Sequence, residues 1–274
     1  MTSGCQLRAL AKLTLSLRVV GVRADGYHLL DAEMVNVDLA DTLEFCPGDG
    51  LEVVDGGASL GGHGHVPADG TNLVARALQL AGARAKVRLV KRVPAGAGLG
   101  GGSADAAAVL RWASLGDANQ CRGTGESGSP SCGGGSPLPA GLALELASRL
   151  GSDVPFCLAG GGRARVQGAG EQLLPLPFDE VEGRSYTLLV PPFGISTAQA
   201  YAAWDELRPA RGGWDGPNDL EPAALRVEPR LAEWRDRLGN ATGLQPVLAG
   251  SGSTWWVPGE WPGDGRIVVR VARP

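Results

Sequence analysis

Residues 94–105 have the composition of a loop that could bind phosphate. They read Pro-Ala-Gly-Ala-Gly-Leu-Gly-Gly-Gly-Ser-Ala-Asp, after an alternating apolar stretch at 86–93 and before an alanine-rich stretch that begins at Ser103. A strand that runs through glycines into a helix start leaves backbone N–H groups without partners, and glycine lets an anion approach them closely. A flexible connector is the alternative, but connectors rarely run directly into a good helix N-cap. The spacing therefore predicts a phosphate-binding loop.

Three common phosphate-binding loops do not fit this stretch. A Walker A loop has lysine after its glycines, and none occurs here. The glycine-rich loop of protein kinases is accompanied by HRD and DFG motifs, which the chain lacks. The Rossmann spacing is met at Gly96, Gly98 and Gly101, with Asp117 as a ribose partner. However, a Rossmann strand is buried on both faces, whereas 86–93 carries Lys and Arg on one face, so we interpret this match as incidental.

Six stretches of the sequence together resemble one family of kinases. They are 11–15 (AKLTL), 23–28 (RADGYH), 94–105 (PAGAGLGGGSAD), 151–156 (GSDVPF), 218–222 (NDLEP) and 250–254 (GSGST). Their order and spacing are similar to those of the GHMP kinases. Within that family, the Asp-Gly-Tyr-His run resembles the 4-diphosphocytidyl-2-C-methyl-D-erythritol kinases. One departure is Thr14, where the pattern usually has asparagine, so the side chain keeps a hydroxyl but loses the amide.

This resemblance implies an enzyme that transfers phosphate from ATP to an alcohol. The implied acceptor is the 2-hydroxyl of 4-diphosphocytidyl-2-C-methyl-D-erythritol, in non-mevalonate isoprenoid precursor biosynthesis. Magnesium is expected with ATP because phosphoryl transfer needs its charge. Two alternatives are another GHMP kinase, of the homoserine or mevalonate type, and a nucleotide-binding module without catalysis.

The resemblance also implies a catalytic pair and an ATP site. Asp153 is expected to accept the proton of the hydroxyl, with Lys12 beside it to keep the carboxylate ionised and to stabilise the transferring group. Without the other motifs, Asp153 is better explained as a helix N-cap before Pro155, and Lys12 as a strand residue on a solvent-exposed face. Ser103 is a candidate magnesium ligand. ATP is expected at Pro94, Ala95, Gly96, Ala97, Gly98, Leu99, Gly100, Gly101, Gly102, Ser103 and Ala104.

Four further residues are implied in binding the substrate. Tyr27 and His28 are expected to recognise its cytosine, by ring contact and by hydrogen bonds to the base edge respectively. Tyr201 is expected on the other face of the base, and Thr197 as an additional contact. For each aromatic ring, packing in the core is the alternative explanation.

Alternation and helical spacing predict the elements that must position these residues. The stretch 7–22 alternates as a half-buried strand with Lys12 and Thr14 on its polar face. A helix at 103–112 is expected to be capped by Ser103 and to carry Asp105 at the positive end of its dipole. Further strands are expected at 32–39, 42–46, 86–93, 186–190 and 266–271, and further helices at 71–81, 138–150, 197–207 and 229–238.

Strands and helices mix without a regular βαβ rhythm, which favours an α+β protein in two lobes. The resemblance implies the two-lobed GHMP kinase fold, with an N-terminal lobe like ribosomal protein S5 domain 2 and a ferredoxin-like C-terminal lobe. We expect the lobes to be 1–159 and 160–274. Residues 116–137 are rich in Gly and Ser and are expected to form a mobile insert.

Composition limits the partners and the compartment. A net charge of -4 argues against nucleic-acid binding, which needs a concentrated basic patch. The five cysteines are scattered, without a CxxC pair, and no apolar run approaches the roughly 20 residues that span a bilayer. We therefore expect a cytoplasmic protein without membrane contact, as a monomer or homodimer, acting on a small molecule that carries a cytidine diphosphate group.

Overall fold

The structure of the protein is a computed structural model that describes residues 5–57, 66–115, 137–207 and 214–274. Its strands are β1 (Cys5–Val22), β2 (His28–Cys46), β3 (Gly50–Asp55), β4 (Lys86–Lys91), β5 (Arg163–Gly168), β6 (Gln172–Pro175), β7 (Ser185–Leu189), β8 (Val247–Leu248), β9 (Trp255–Pro258) and β10 (Arg266–Arg270). Its helices are α1 (Leu73–Ala81), α2 (Gly101–Ser114), α3 (Ala140–Leu150), α4 (Val154–Ala159), α5 (Thr197–Leu207), α6 (Glu221–Val227) and α7 (Leu231–Thr242). In these ranges no helix is both long and apolar enough to cross a membrane. Nearly all of the insert expected at 116–137 lies outside the described residues.

The first sheet has six strands, in the order β3-β4-β2-β5-β6, with β1 paired to β2. β2 is one continuous strand where two were expected, at 32–39 and 42–46. It stays unbroken because β1 pairs along its length, while β5 and β4 pair with its two halves on the other edge. Strands β5 and β6 follow residue 160 but complete this sheet, so the chain leaves it only after Pro175. The lobes expected from the sequence, 1–159 and 160–274, assign these two strands to the C-terminal lobe, although they pair with the sheet of the N-terminal lobe.

Helices α1 to α4 cover one face of the first sheet. At its centre the ring of Phe45 on β2 stacks on Trp112 of α2, with ring centroids 4.6 Å apart. α2 is buried on nearly all sides, and its alanines let it pack closely on the sheet. It begins at Gly101, so Ser103 lies inside the first turn. Ser103 had been expected at the N-cap, which is Gly100 instead. α1 is capped by Asn72, whose side chain accepts a hydrogen bond from the N–H of Val74.

The second sheet is antiparallel, in the order β10-β7-β9-β8. Helices α5 to α7 pack on one face, where Trp255 and Leu238 share a core. The other face packs on the first sheet, where Trp256 shares a second core with Leu13 and Val35. This two-sheet arrangement confirms the α+β class.

Strand β1 changes its outward face along its length. Its pairing with β2 is irregular between Leu10 and Lys12, where the extra residues lie on β2, and again between Thr14 and Ser16, where a bulge adds one residue to β1. A bulge adds one residue to one strand, so the side chains beyond it move to the opposite face. Lys12 and Thr14 are buried, with 4% and 1% exposure, while Leu13 between them packs toward the second sheet. The expectation that these two polar residues face solvent was wrong, because strict alternation does not reveal bulges.

Candidate active site

The predicted phosphate loop lies between β4 and α2. Gly96, Gly98 and Gly100 all have left-handed backbone, with φ of 69°, 78° and 66°. Residues with a Cβ rarely adopt this conformation, so the path of the loop depends on glycine at these positions. Gly100 is the N-cap of α2, and the first N–H groups of that helix have no partners within it. These donors, with the positive end of the helix dipole, suit phosphate oxygens.

A second glycine loop, at 250–252, packs against the first. A Cβ on Gly98 would lie 2.2 Å from the carbonyl oxygen of Ala249, so only glycine allows the two loops to approach this closely. Asn218 holds the second loop from behind, because its buried side-chain amide donates to the carbonyl of Gly250 at 2.7 Å. Stretches that are far apart in the sequence therefore meet at the phosphate loop.

Lys12 and Asp153 form an ion pair beside these loops. Lys12 Nζ lies 3.3 Å from Asp153 Oδ2, and the two side chains are 5% and 29% exposed. The aspartate is therefore accessible to a ligand, while the lysine is largely shielded from water. Asp153 occupies the N-cap position of α4 but its side chain makes no capping hydrogen bond. The structural explanations considered from the sequence, an N-cap and an exposed strand residue, thus account for neither side chain.

Two contacts hold Lys12 in place. Its Nζ donates to Thr14 Oγ1 at 3.0 Å, and its backbone N–H donates to the carbonyl of Leu99 at 3.0 Å. Its aliphatic stem passes Gly100 so closely that a Cβ there would lie 2.7 Å from Lys12 Cγ. The lysine is thereby fixed between the start of α2 and the aspartate.

A second buried lysine supports the loop. Lys91, the last residue of β4, contacts Asp41 and also Asp105 on α2, the latter at 2.8 Å. Burial by itself lowers the pKa of Lys91, but the charges of Asp105 and Asp41 outweigh it and leave the pKa raised. Burial raises the pKa of the Asp105 carboxyl to about 7. Asp105 is therefore part of a buried charge cluster that ties β4 to α2. It does not lie in the first turn of α2, as had been expected, because the helix begins at Gly101 and its first turn carries no acidic side chain.

The predicted base-binding residues lie together at another part of the site. The ring of His28 lies 4.6 Å from that of Tyr201 and 5.5 Å from that of Trp204, while Tyr27 is 46% exposed. His28 Nε2 lies 2.9 Å from Asp205 Oδ1. Burial raises the pKa of the Tyr201 phenol above its usual range. An exposed ring and a shielded imidazole next to each other suit a flat polar ligand.

These groups line one cleft of about 720 Å³. Of the predicted residues, its lining includes Lys12, Tyr27, His28, Pro94, Ala95, Gly96, Ala97, Gly98, Gly100, Gly101, Gly102, Ser103, Asp153, Thr197 and Tyr201. Two residues that were predicted to bind ATP, Leu99 and Ala104, do not line the cleft. Both are buried in the core, with 1% and 0% exposure. Val66, Pro67 and Leu73 add an apolar wall that the sequence reasoning did not include.

Some polar residues of the site were missed at first. Lys91 was predicted only as part of a strand, and Asp105 only as the end of the glycine-rich motif and a partner of the helix dipole. Asp205 was not singled out, although Thr197, Tyr201 and Asp205 are spaced by four residues on α5 and so share one face of that helix. That spacing was the available signal, since two of the three residues were already predicted to contact the substrate.

Two solved structures that resemble this chain are kinases by their descriptions. A crystal structure of a 4-(cytidine 5'-diphospho)-2C-methyl-D-erythritol kinase matches with a TM-score of 0.65 and 32% identity, covering 94% of this chain and 91% of that one. The mevalonate kinase of Methanococcus jannaschii matches with a TM-score of 0.59 and 13% identity, covering 99% of each chain, which shows a shared fold alone. The model of the GHMP kinase N-terminal domain matches residues 71–161.

The fold and the glycine-loop site define a kinase of the GHMP class. The 4-diphosphocytidyl-2-C-methyl-D-erythritol kinase of Pelotomaculum thermopropionicum is 39% identical, covering 90% of this chain and 86% of the relative; that of Ruegeria pomeroyi is 34% identical, covering 96% and 91%. The chain belongs to the 4-diphosphocytidyl-2-C-methyl-D-erythritol kinase family. The resemblance noted in the sequence, and the fold that it implied, are confirmed.

Proposed function

We propose that the chain phosphorylates the 2-hydroxyl of 4-diphosphocytidyl-2-C-methyl-D-erythritol, with ATP as the phosphate donor. The observation that carries this proposal is the ion pair of Lys12 and Asp153, which lines the same cleft as the phosphate loop. A base, a cation and a phosphate cradle are what phosphoryl transfer to an alcohol requires. The names of the relatives supply the substrate, and they do not favour a homoserine-type or mevalonate-type kinase or a module without catalysis.

In this mechanism Asp153 is the general base. Its carboxylate accepts the proton of the acceptor hydroxyl as that oxygen attacks the terminal phosphorus. Lys12, whose Nζ lies 3.3 Å from the carboxylate, stabilises the negative charge that develops between acceptor and phosphate. Because Thr14 accepts one of the three N–H bonds of Lys12, the ammonium group retains donors for the carboxylate and the substrate.

The phosphate loop holds the donor's phosphates. Main-chain N–H groups of 96–102 and the start of α2 supply the hydrogen bonds, since Lys91, the other lysine on the cleft, is already paired with two carboxylates. The apolar wall of Val66, Pro67 and Leu73 adjoins this loop, with Leu73 Cδ1 3.5 Å from a Cβ built on Gly102. This wall suits the adenine ring.

Magnesium fits this cleft together with the nucleotide. Among the described residues there is no group of three His, Cys, Asp or Glu side chains that could hold a metal ion by itself. Ser103 lines the cleft and offers an oxygen ligand. Mg²⁺ commonly binds one or two protein oxygens, substrate phosphates and several waters, so this donor set is sufficient. When bound, the ion neutralises charge on the phosphates.

The cytosine of the substrate binds between Tyr27 and Tyr201, with His28 at its edge. Tyr27 is exposed and can cover one face of the base, while Tyr201 already lies against the imidazole of His28. Thr197, at the start of α5, lies 2.9 Å from Ser251 through its hydroxyl, so its side chain is held on the cleft beside the second glycine loop. The residues of the base site and those of the phosphate loop line one cleft, which suits a substrate with a nucleotide at one end and an alcohol at the other.

Three expectations stay predictions from the sequence. They are the division into lobes at residue 160, the cytoplasmic location, and the monomeric or homodimeric state. The proposed chemistry of the cleft does not depend on any of the three.

The Asp153→Asn variant tests the proposed base. Turnover, measured as ADP release with the cytidine diphosphate substrate, should fall about 1,000-fold because an amide cannot accept the proton. ATP affinity should stay within about 3-fold, since the loop that holds the phosphates is unchanged. An unchanged rate would remove Asp153 from the mechanism.

Asp49→Asn is the matched control, because Asp49 is an exposed aspartate paired with Arg84 away from the cleft. It should turn over at the parent rate.

Homoserine and mevalonate serve as alternative acceptors in the same assay. ADP release with either of them, and none with the cytidine diphosphate substrate, would replace the proposed substrate.

A further inference from the structure

Resting on the proposed function, we propose that Asp205 sets the preference of the enzyme for cytosine over uracil by fixing the tautomer of His28. His28 Nε2 lies 2.9 Å from Asp205 Oδ1, and the two residues are 177 positions apart in the sequence. An ionised carboxylate only accepts hydrogen bonds, so the hydrogen of the neutral imidazole must sit on Nε2. Nδ1 is then left with a lone pair and becomes an acceptor.

The surroundings of the ring leave Nδ1 available to a ligand. His28 lines the cleft, and within the described residues Nε2 is the ring nitrogen with a hydrogen-bond partner, whereas Nδ1 has none. Tyr201 packs against the ring at 4.6 Å and Trp204 meets it edge-on at 5.5 Å, so its orientation is fixed by packing. The side chain of His28 is 11% exposed, which leaves little water to replace a missing partner.

An acceptor at this position distinguishes the two pyrimidines. Cytosine carries an amino group at C4, which donates, whereas uracil carries a carbonyl oxygen there, which only accepts. Nδ1 can therefore bond the amino group of cytosine but would face the carbonyl of uracil with two lone pairs opposed. A site that hydrogen-bonds its substrate rejects an analogue that lacks the group, because the site's own polar atom is left unpaired.

Asp205 acts through His28 and is a positioning residue. It lies on the face of α5 that also carries Thr197 and Tyr201, so one helix presents the ring contact and the carboxylate that orients the histidine. The neighbouring Glu206 pairs with Arg226 at 2.8 Å and has no hydrogen bond to His28. Glu206 therefore offers a matched control with the same charge on the same helix.

The tautomer is measured directly by NMR of the full-length protein labelled with ¹⁵N-histidine at about pH 8, where imidazoles are mostly neutral. The chain has only three histidines, and His28→Gln assigns the signal by its disappearance. The parent and Glu206→Ala should show His28 protonated on Nε2. Asp205→Ala should show a mixture of both tautomers, because nothing then selects one nitrogen.

The preference is measured as the ratio of kcat/KM for the cytidine substrate to that for its uridine analogue. In Asp205→Ala this ratio should fall about 10-fold, through KM for the cytidine substrate, while KM for ATP stays unchanged. Glu206→Ala should keep the parent ratio. Asp205→Asn, which preserves the shape of the side chain but can donate as well as accept, should also lower the ratio and serves if the alanine variant folds poorly.

Two results would overturn the assignment. One is a His28 that stays protonated on Nε2 in both Asp205 variants, and the other is a cytidine-to-uridine ratio that does not change in them. The tautomer spectrum needs no turnover, so it still decides the role of Asp205 if the parent protein fails to phosphorylate the cytidine substrate. That failure would refute the proposed function separately.

Discussion

At the scale of the residue, the proposed chemistry depends most on the side chain of Lys12. Its Nζ is shared between Thr14 at 3.0 Å and Asp153 at 3.3 Å, and the residue is 4% exposed. A buried ammonium group needs its hydrogen-bond partners, because an unpaired charge in a poorly solvated position is costly. The threonine that replaces the family's usual asparagine therefore has a function here: its hydroxyl holds the lysine.

Thr14→Val tests this role of the hydroxyl. Valine has nearly the same shape but cannot accept the hydrogen bond, so Lys12 loses one of the contacts that fix it beside Asp153. We expect kcat to fall about 10-fold with KM for ATP unchanged, measured by ADP release. Thr14→Ser keeps the hydroxyl and should retain most of the parent rate. Equal losses in both variants would show that Thr14 acts by packing alone.

At the scale of the element, the site depends on how two glycine loops meet. Gly96 and Gly98 both have positive φ, but their surroundings differ. A Cβ on Gly98 would lie 2.2 Å from the Ala249 carbonyl oxygen, whereas one on Gly96 would meet nothing closer than 3.9 Å. Position 98 therefore requires glycine both for its backbone conformation and for the close contact with the second loop. Position 96 requires glycine for its backbone conformation only.

Alanine substitutions separate these two requirements. Gly96→Ala should cost about 1 kcal/mol, the strain of a left-handed residue. Gly98→Ala should cost about 3 kcal/mol and weaken ATP binding, because the two loops must also move apart. Urea unfolding and ATP titration measure the two effects.

Gly141→Ala is the control for this series. Gly141 lies on α3 with nothing within 4 Å of a built Cβ, and its φ is not positive. Alanine there should leave stability unchanged or raise it by up to about 1 kcal/mol. A Gly98→Ala protein as stable as the Gly96→Ala protein would show that the loops are not in tight contact.

At the scale of the whole molecule, one buried carboxyl makes stability depend on pH. Glu221 at the start of α6 is 3% exposed, and burial raises its pKa from 4.5 to about 7. Between these values the folded state holds a proton that the unfolded state has lost, so stability falls as the pH rises from about 4.5 to about 7. The full shift corresponds to about 3 kcal/mol.

Glu221→Gln should remove this dependence. Glutamine resembles the protonated carboxyl and cannot ionise, so the variant should be more stable than the parent at about pH 8 and similar to it at about pH 4.5. Urea unfolding at both pH values measures the difference. A variant less stable than the parent at about pH 8 would contradict the burial argument.

Glu228→Gln is a control of opposite sign. A hydrogen bond from Arg230 lowers the pKa of the Glu228 carboxyl, so this group contributes stability above its ordinary pKa and loses it as the pH falls. Its glutamine variant should be less stable than the parent at about pH 8, and the difference should shrink in acid.

Most elements of the fold could be predicted from the sequence, since they depend on local patterns. The helix at 197–207 has the bounds that its spacing indicated, and the strand at 86–93 ends only two residues early, at Lys91. The join of 32–39 and 42–46 into one strand could not be foreseen. It depends on partners, β4 and β5, that come later in the chain.

The sequence by itself determined the phosphate loop and the family, because glycine spacing and a helix start act over a few neighbouring residues. The tertiary structure alone decided that Lys12 lies buried beside Asp153, in a stretch of β1 whose pairing with β2 is irregular on both sides. It also decided the pairing of His28 with Asp205. Both are contacts between distant parts of the chain, and their geometry follows from how sheets and helices pack, which no local pattern of residue types records.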